Sequence, residues 1–177
     1  MSVNAQTGDW LSRIQARLDQ PYARVLACDP VNPSMIRHWC EAHGVDDPRY
    51  RVGVGECSDA QLLAPPSMLQ VWLQPGPSGW RPEGSAQLDA TEIIRLFSEG
   101  GYTGLVGVNV DQEFVRYLRA GEQLYSVSTL VLVSDRKTTG LGDGYFFTVR
   151  QDVFAQDDEK VAVLHFRQLC YVPRESS

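Results

Sequence analysis

The sequence predicts an α+β fold in which a helix-rich first half packs on a long, curved antiparallel sheet supplied by the last third of the chain. Three observations carry this. Apolar residues recur at helical spacing up to about residue 97, four runs rich in Val, Thr, Tyr and Phe then follow between turn signals, and helices preceding strands argue α+β rather than alternating α/β. With 177 residues, 43% of them hydrophobic and 21% charged, the chain can bury a core of its own. One domain over residues 1–177 is expected.

In chain order, Trp10, Leu11, Ile14 and Leu18 mark an amphipathic helix over 9–19, N-capped by Asp9 and packed on the outside of the domain. A strand is expected from Arg24 to Asp29. Asn32 followed by Pro33 reads as an N-cap and first helical residue, so a helix runs from Pro33 to His43 with Met35, Ile36, Trp39, Cys40 and Ala42 on its apolar face. Gly44 stands at its left-handed C-terminal position. Residues 45–62 read as loop. Ala64-Pro65-Pro66-Ser67 opens a second apolar helix through Leu73, the candidate central helix. It ends at Gln74 because PGPSGWRPEG removes backbone donors and favours non-helical geometry, making 74–84 a surface excursion. Asp89 can cap a short helix to Phe97, closed by Gly100 and Gly101. Strands are expected over Leu105–Tyr117, Gln123–Thr138, Tyr145–Ala155 and Lys160–Val172, joined as an antiparallel meander.

Composition excludes several classes. A net charge of -6 lacks the basic face a nucleic-acid partner requires. No stretch is long and apolar enough to span a bilayer and residues 1–9 are polar, so a cytoplasmic location with no membrane partner is expected. Cys28, Cys40, Cys57 and Cys170 show no CxxC pair and read as reduced, buried thiols. No metal site is expected: His38 and His43 lie about 140° apart around a helix, and Asp157, Asp158 and Glu159 lack metal-loop spacing. His165 reads as a half-buried strand residue.

The order of features, with SMIRHWCEAHGVDDPRY, LLAPPSMLQVW and VDQEFVRYLRAGEQL, resembles the MaoC-like hydratase and dehydratase family over about residues 33–172. The likeness is strongest to the non-catalytic N-terminal domain of the large subunit of steroid side-chain enoyl-CoA hydratases. The resemblance implies a hot-dog fold, a sheet wrapped around one helix, that pairs with another hot dog. It also implies an Asp and a His that activate water at an enoyl thioester. Aligning Gly44 and Pro48 to the family's Gly and Pro puts Val45 at the Asp position and Tyr50 at the His position; a register shift would bring Asp46 or Asp47 to the acid's place, with no His following. Valine takes no proton, and tyrosine, with an ordinary pKa of ~10, is a poor base at neutral pH.

The expectation is therefore a chain with no catalytic residues of its own, vacated at Val45 and Tyr50, that helps form the acyl pocket of a heteromeric enoyl-CoA hydratase. An unlike hot-dog subunit supplies the acid and base, and a steroid side-chain CoA ester is the preferred substrate. The alternatives are a subunit of a (3R)-hydroxyacyl dehydratase of type II fatty acid synthesis acting on acyl carrier protein, and an acyl-thioester-binding scaffold. Pro66, Ser67, Met68 and Trp72 are the candidate acyl contacts, although Met68 and Trp72 at i and i+4 also suit core packing. Arg136 and Lys137 are candidates for coenzyme A phosphates or for a solvated strand end. No cofactor beyond the coenzyme A of the substrate is implied, and the resemblance is to the first part of a longer protein.

Overall fold

A computed structural model describes residues 9–51, 62–74, 76–85 and 91–174. Cys57, Pro75 and Asp89 lie outside the described residues. The elements run α1 (Asp9–Gln15), β1 (Pro21–Leu26), α2 (Pro33–His43), α3 (Leu69–Leu73), α4 (Glu92–Glu99), β2 (Gly104–Phe114), β3 (Leu124–Val133), β4 (Lys137–Thr138), β5 (Asp143–Ala155) and β6 (Lys160–Tyr171). Short 3-10 turns occupy Pro48–Tyr50 and Pro66–Met68. The class is α+β, as expected.

All the strands join one antiparallel sheet in the order β1-β3-β5-β6-β2, with β4 hairpinned onto β5. This corrects the four-strand meander. Only β3, β5 and β6 follow one another; β1 takes the free side of β3, so β2 reaches the sheet at β6 instead. The segment after β2 is held across the sheet end by Arg116, whose guanidinium reaches Glu159 and Glu122, each at 2.7 Å. Two backbone bonds tie its continuation to the helical side, Ala120 N–H to the Leu62 carbonyl and Gly121 N–H to that of Val31.

Three helical expectations need revision. The helix at 9–19 stops at Gln15; its outer face is exposed, as expected of a helix packed on the outside, while Trp10 and Ile14 are buried against α4, with the Trp10 ring meeting Phe97, Tyr102 and Tyr145. One turn apart on one face, they carry the burial. The 64–73 helix is a 3-10 turn followed by only five α-helical residues. The first strand lies three residues earlier than read, because Pro21 to Leu26 pair with β3 while Ala27 only donates to the Leu124 carbonyl. α2 runs as read, capped by Asn32 Oδ1 accepting from Met35 N–H at 2.9 Å, with Gly44 at φ 63°. Its buried face is narrower, Ile36 and Cys40, with Met35 exposed.

The core divides into two apolar clusters on the helical side of the sheet. One gathers Ile36, Met68, Leu69, Trp72, Leu124 and Val153 under α2 and α3. The other gathers Trp10, Ile14, Ile93, Phe97, Leu130 and Phe147 under α1 and α4. Between them the inner face of β3 carries Ser126 and Ser128.

Candidate functional site

The turn after α2 carries the positions at which the family resemblance places acid and base. Gly44 reverses the chain, and Asp47 then caps the 3-10 turn, accepting from Arg49 N–H at 2.9 Å and from its guanidinium at 3.0 and 2.6 Å. Asp46 is paired with Arg51. Val45 packs on the first cluster and Tyr50 is buried in it. Val45, Asp46, Tyr50 and Arg51, with Arg37, Cys40 and Glu41, line a hollow of about 530 Å³.

The Arg49 side-chain bonds hold the Asp47 carboxyl at about 2, leaving an ionised, weakly basic carboxylate. Burial pushes both the Tyr50 phenol and the Cys40 thiol up. The histidines lie elsewhere in use: His43 donates from Nδ1 to the Trp39 carbonyl at 2.8 Å and stacks on that ring, His38 contacts Arg37, and His165 is half-buried in β6 between Arg150 and Asp111. Among the described residues no cluster could hold a metal ion.

A second hollow, of about 290 Å³, occupies the break between α3 and α4. Leu73 and Gln74 at the end of α3 and Thr91 at the start of α4 form two of its walls, Arg81 of the Pro/Gly-rich excursion a third, and Val25, Ser126, Gln151 and Phe166 of the sheet its floor. The excursion is anchored over β1, where Leu26 N–H donates to Ser85 Oγ at 3.2 Å and Arg24 to the Gly84 carbonyl.

The candidate acyl contacts divide. Met68 and Trp72 are buried in the first cluster, Pro66 is half-buried and Ser67 faces solvent. The side of the segment that meets the hollow is instead Gln70, Leu73 and Gln74. Arg136 and Lys137 lie at the other end of β3: Arg136 pairs with Asp143 at 2.8 Å and Lys137 is exposed on β4.

The floor is what sequence reasoning missed. The inner face of β3 reads Leu124, Ser126, Ser128, Leu130, all four buried. Ser128 faces Gln151 of β5 directly and Ser126 faces Val25 and Val153, so both serines and Gln151 share one face. The serines sit where the two apolar clusters part. Ser128 is 1% exposed and its hydroxyl has no hydrogen-bond partner among the described residues. Such a group costs about 1–3 kcal/mol. Alternation puts Ser126 and Ser128 on one face of β3 but does not say which face is inner.

The family model described as FAS1-like, dehydratase domain region, matches residues 27–164. The chain belongs to this family, and its fold is the MaoC-like hot dog. It is 38% identical over 153 residues to the 3-oxo-4,17-pregnadiene-20-carboxyl-CoA hydratase alpha subunit of Mycobacterium tuberculosis, a match covering 85% of this chain and 48% of that protein. To a probable enoyl-CoA hydratase alpha subunit of Thermomonospora curvata it is 34% identical, over 84% of this chain and 47% of that one. The chain thus spans about half the length of these curated relatives. A chain in the crystal structure of the ChsH1-ChsH2 complex from M. tuberculosis superposes with a TM-score of 0.76 at 35% identity, covering 96% of this chain and 93% of that one. The MaoC-like dehydratase from Rhodospirillum rubrum, at 14% identity and TM-score 0.53 over 86% of this chain and 92% of that one, shares the fold.

Proposed function

We propose that this hot dog is the acyl-binding, non-catalytic component of a two-part enoyl-CoA hydratase for bulky, steroid-like side-chain thioesters. The acid and base that add water come from an unlike MaoC-like partner, and coenzyme A enters only as part of the substrate. The observation that carries this is the pair Val45 and Tyr50: the positions that resemble the family's acid and base hold an alkyl group and a buried phenol, neither able to activate water. Two relatives with above 30% identity are named as hydratase alpha subunits, and the superposed chain comes from a two-component complex. The break between α3 and α4 supports the choice of acyl group, since a continuous helix there would fill the volume a polycyclic group needs.

The test is to purify the chain alone and with an unlike hot-dog partner and assay hydration of a polycyclic and of a short linear enoyl-CoA. Activity is expected only in the mixture. Leu73→Trp should then raise KM for the polycyclic substrate more than for the linear one, because narrowing a pocket excludes the larger ligand first. Turnover by the chain alone would overturn the non-catalytic reading, and a preference for long linear chains would move the substrate to the fatty-acid class.

A further inference from the structure

One cation lining the hollow between α3 and α4 lacks a counter-charge among the described residues. We infer that this hollow holds an anion subsite at Arg81, and that the acyl group it receives carries a carboxylate besides its thioester; the inference rests on the acyl-binding reading above and narrows it. Four arginines are half-buried among the described residues. Arg17 holds Glu92 at 2.9 Å, Arg116 holds Glu122 and Glu159 at 2.7 Å each, and Arg150 holds Asp152 at 2.7 Å. Arg81, the fourth, has no hydrogen-bond or ion-pair partner among the described residues, and no carboxylate lines the hollow with it. Acids are not scarce in a chain with 22 of them against 16 basic residues. The next two described acids along the chain, Glu83 and Glu92, are respectively exposed and held by Arg17, and neither lines the hollow.

Arg81 is also held in place along the chain. Before it the Cys28 thiol meets the Trp80 carbonyl at 3.5 Å, and after it Arg24 donates to the Gly84 carbonyl and Leu26 N–H to Ser85 Oγ. The excursion is thus pinned on both sides of Arg81, which reduces the ordering that a ligand would have to impose. The other polar side chains of the lining, Gln70, Gln74, Thr91, Ser126 and Gln151, can donate or accept and so adapt to what is bound; a guanidinium can only donate. Arg81 therefore fixes the sign of its partner. One planar guanidinium matches one carboxylate through two parallel hydrogen bonds, whereas the charge of about -2 on a phosphate monoester exceeds what a single cation answers. The lining accordingly favours a carboxylate of the acyl group over a phosphate of coenzyme A.

The experiment uses the complex of this chain with its hot-dog partner and saturated, non-reacting thioesters of one polycyclic dicarboxylic acid, its second carboxyl free in one ester and methylated in the other. Each is made on coenzyme A and on pantetheine, which carries no phosphate. Titration calorimetry measures binding to wild type, Arg81→Gln and Arg81→Lys, and circular dichroism melts confirm that the variants fold. On either carrier the free acid is expected to bind wild type at least about tenfold tighter than its methyl ester. Arg81→Gln should remove most of that preference while leaving the methyl ester within about threefold, and Arg81→Lys, which keeps the charge without the fork, should retain part of it. Equal binding of acid and methyl ester to wild type would overturn this inference while leaving the acyl-binding reading in place. If Arg81→Gln instead abolished a preference for coenzyme A over pantetheine, the anion would be a phosphate, which overturns the carboxylate and the placing of the acyl group in this hollow. Binding of neither polycyclic ester, with a short linear thioester bound, would overturn both readings.

Discussion

Asp47 illustrates why a carboxylate in the right loop is not thereby a base. It sits two residues beyond Val45, yet its oxygens are committed to Arg49 and to capping the turn, and at about 2 it has little affinity for a proton at neutral pH. The histidines are no better placed, one stacked on Trp39, one exposed beside Arg37 and one within the sheet. His38→Ala, His43→Ala and His165→Ala should therefore each leave turnover of the assembled enzyme within about tenfold of wild type, whereas loss of a true acid or base costs ~10²–10⁴-fold. A thousandfold fall in a variant that remains folded and assembled would contradict the vacated site. The family resemblance puts Val45 and Tyr50 at the acid and base positions from sequence alone, whereas Ser126 and Ser128 carried no signal, because the alternate face of β3, Tyr125, Val127 and Thr129, competes for the inward direction.

Among the elements, those with local signals were legible and those set by tertiary contact were not. α2 was fixed by Asn32, Pro33 and Gly44 within its own sequence. The place of α1 depends on an aromatic cluster contributed by α4, β5 and the residues between α4 and β2, which no local pattern reveals. Gly100 belongs to the same contact: a Cβ there would fall inside the Trp10 indole, whereas one on Gly140 would meet nothing. Gly100→Ala should thus overpack the second cluster at a cost of about 1–3 kcal/mol, lowering Tm by roughly 3–10 °C, while Gly140→Ala leaves it nearly unchanged. Equal melting temperatures would show that Trp10 moves aside freely. The α3 break was legible for a simpler reason, since the Pro and Gly residues after Gln74 act through their own backbones.

For the molecule as a whole, the feature in need of a neighbour is β2. The meander was misread because a strand's order in a sheet depends on which edges remain free, and β1 had already taken the free side of β3. That places β2 last, paired only to β6, with Leu105, Val106, Val108 and Val110 each 36 to 48% exposed. A bulge at Val108 interrupts the ladder, but no charge replaces these side chains, and an apolar edge left bare invites pairing with another chain. A partner hot dog pairing along β2 would satisfy its free backbone groups and cover apolar side chains on both faces of the edge, in an interface expected to exceed ~1,000 Å². Lysine on such an edge blocks this because its ammonium would be desolvated on docking while costing the free subunit little. The double variant Val108→Lys with Val110→Lys should therefore keep the wild-type circular dichroism spectrum and lose at least about tenfold in affinity for the partner by sedimentation. Retained affinity would move the interface to another face, and a wild-type chain that stays monomeric in the presence of its partner would remove the need for one.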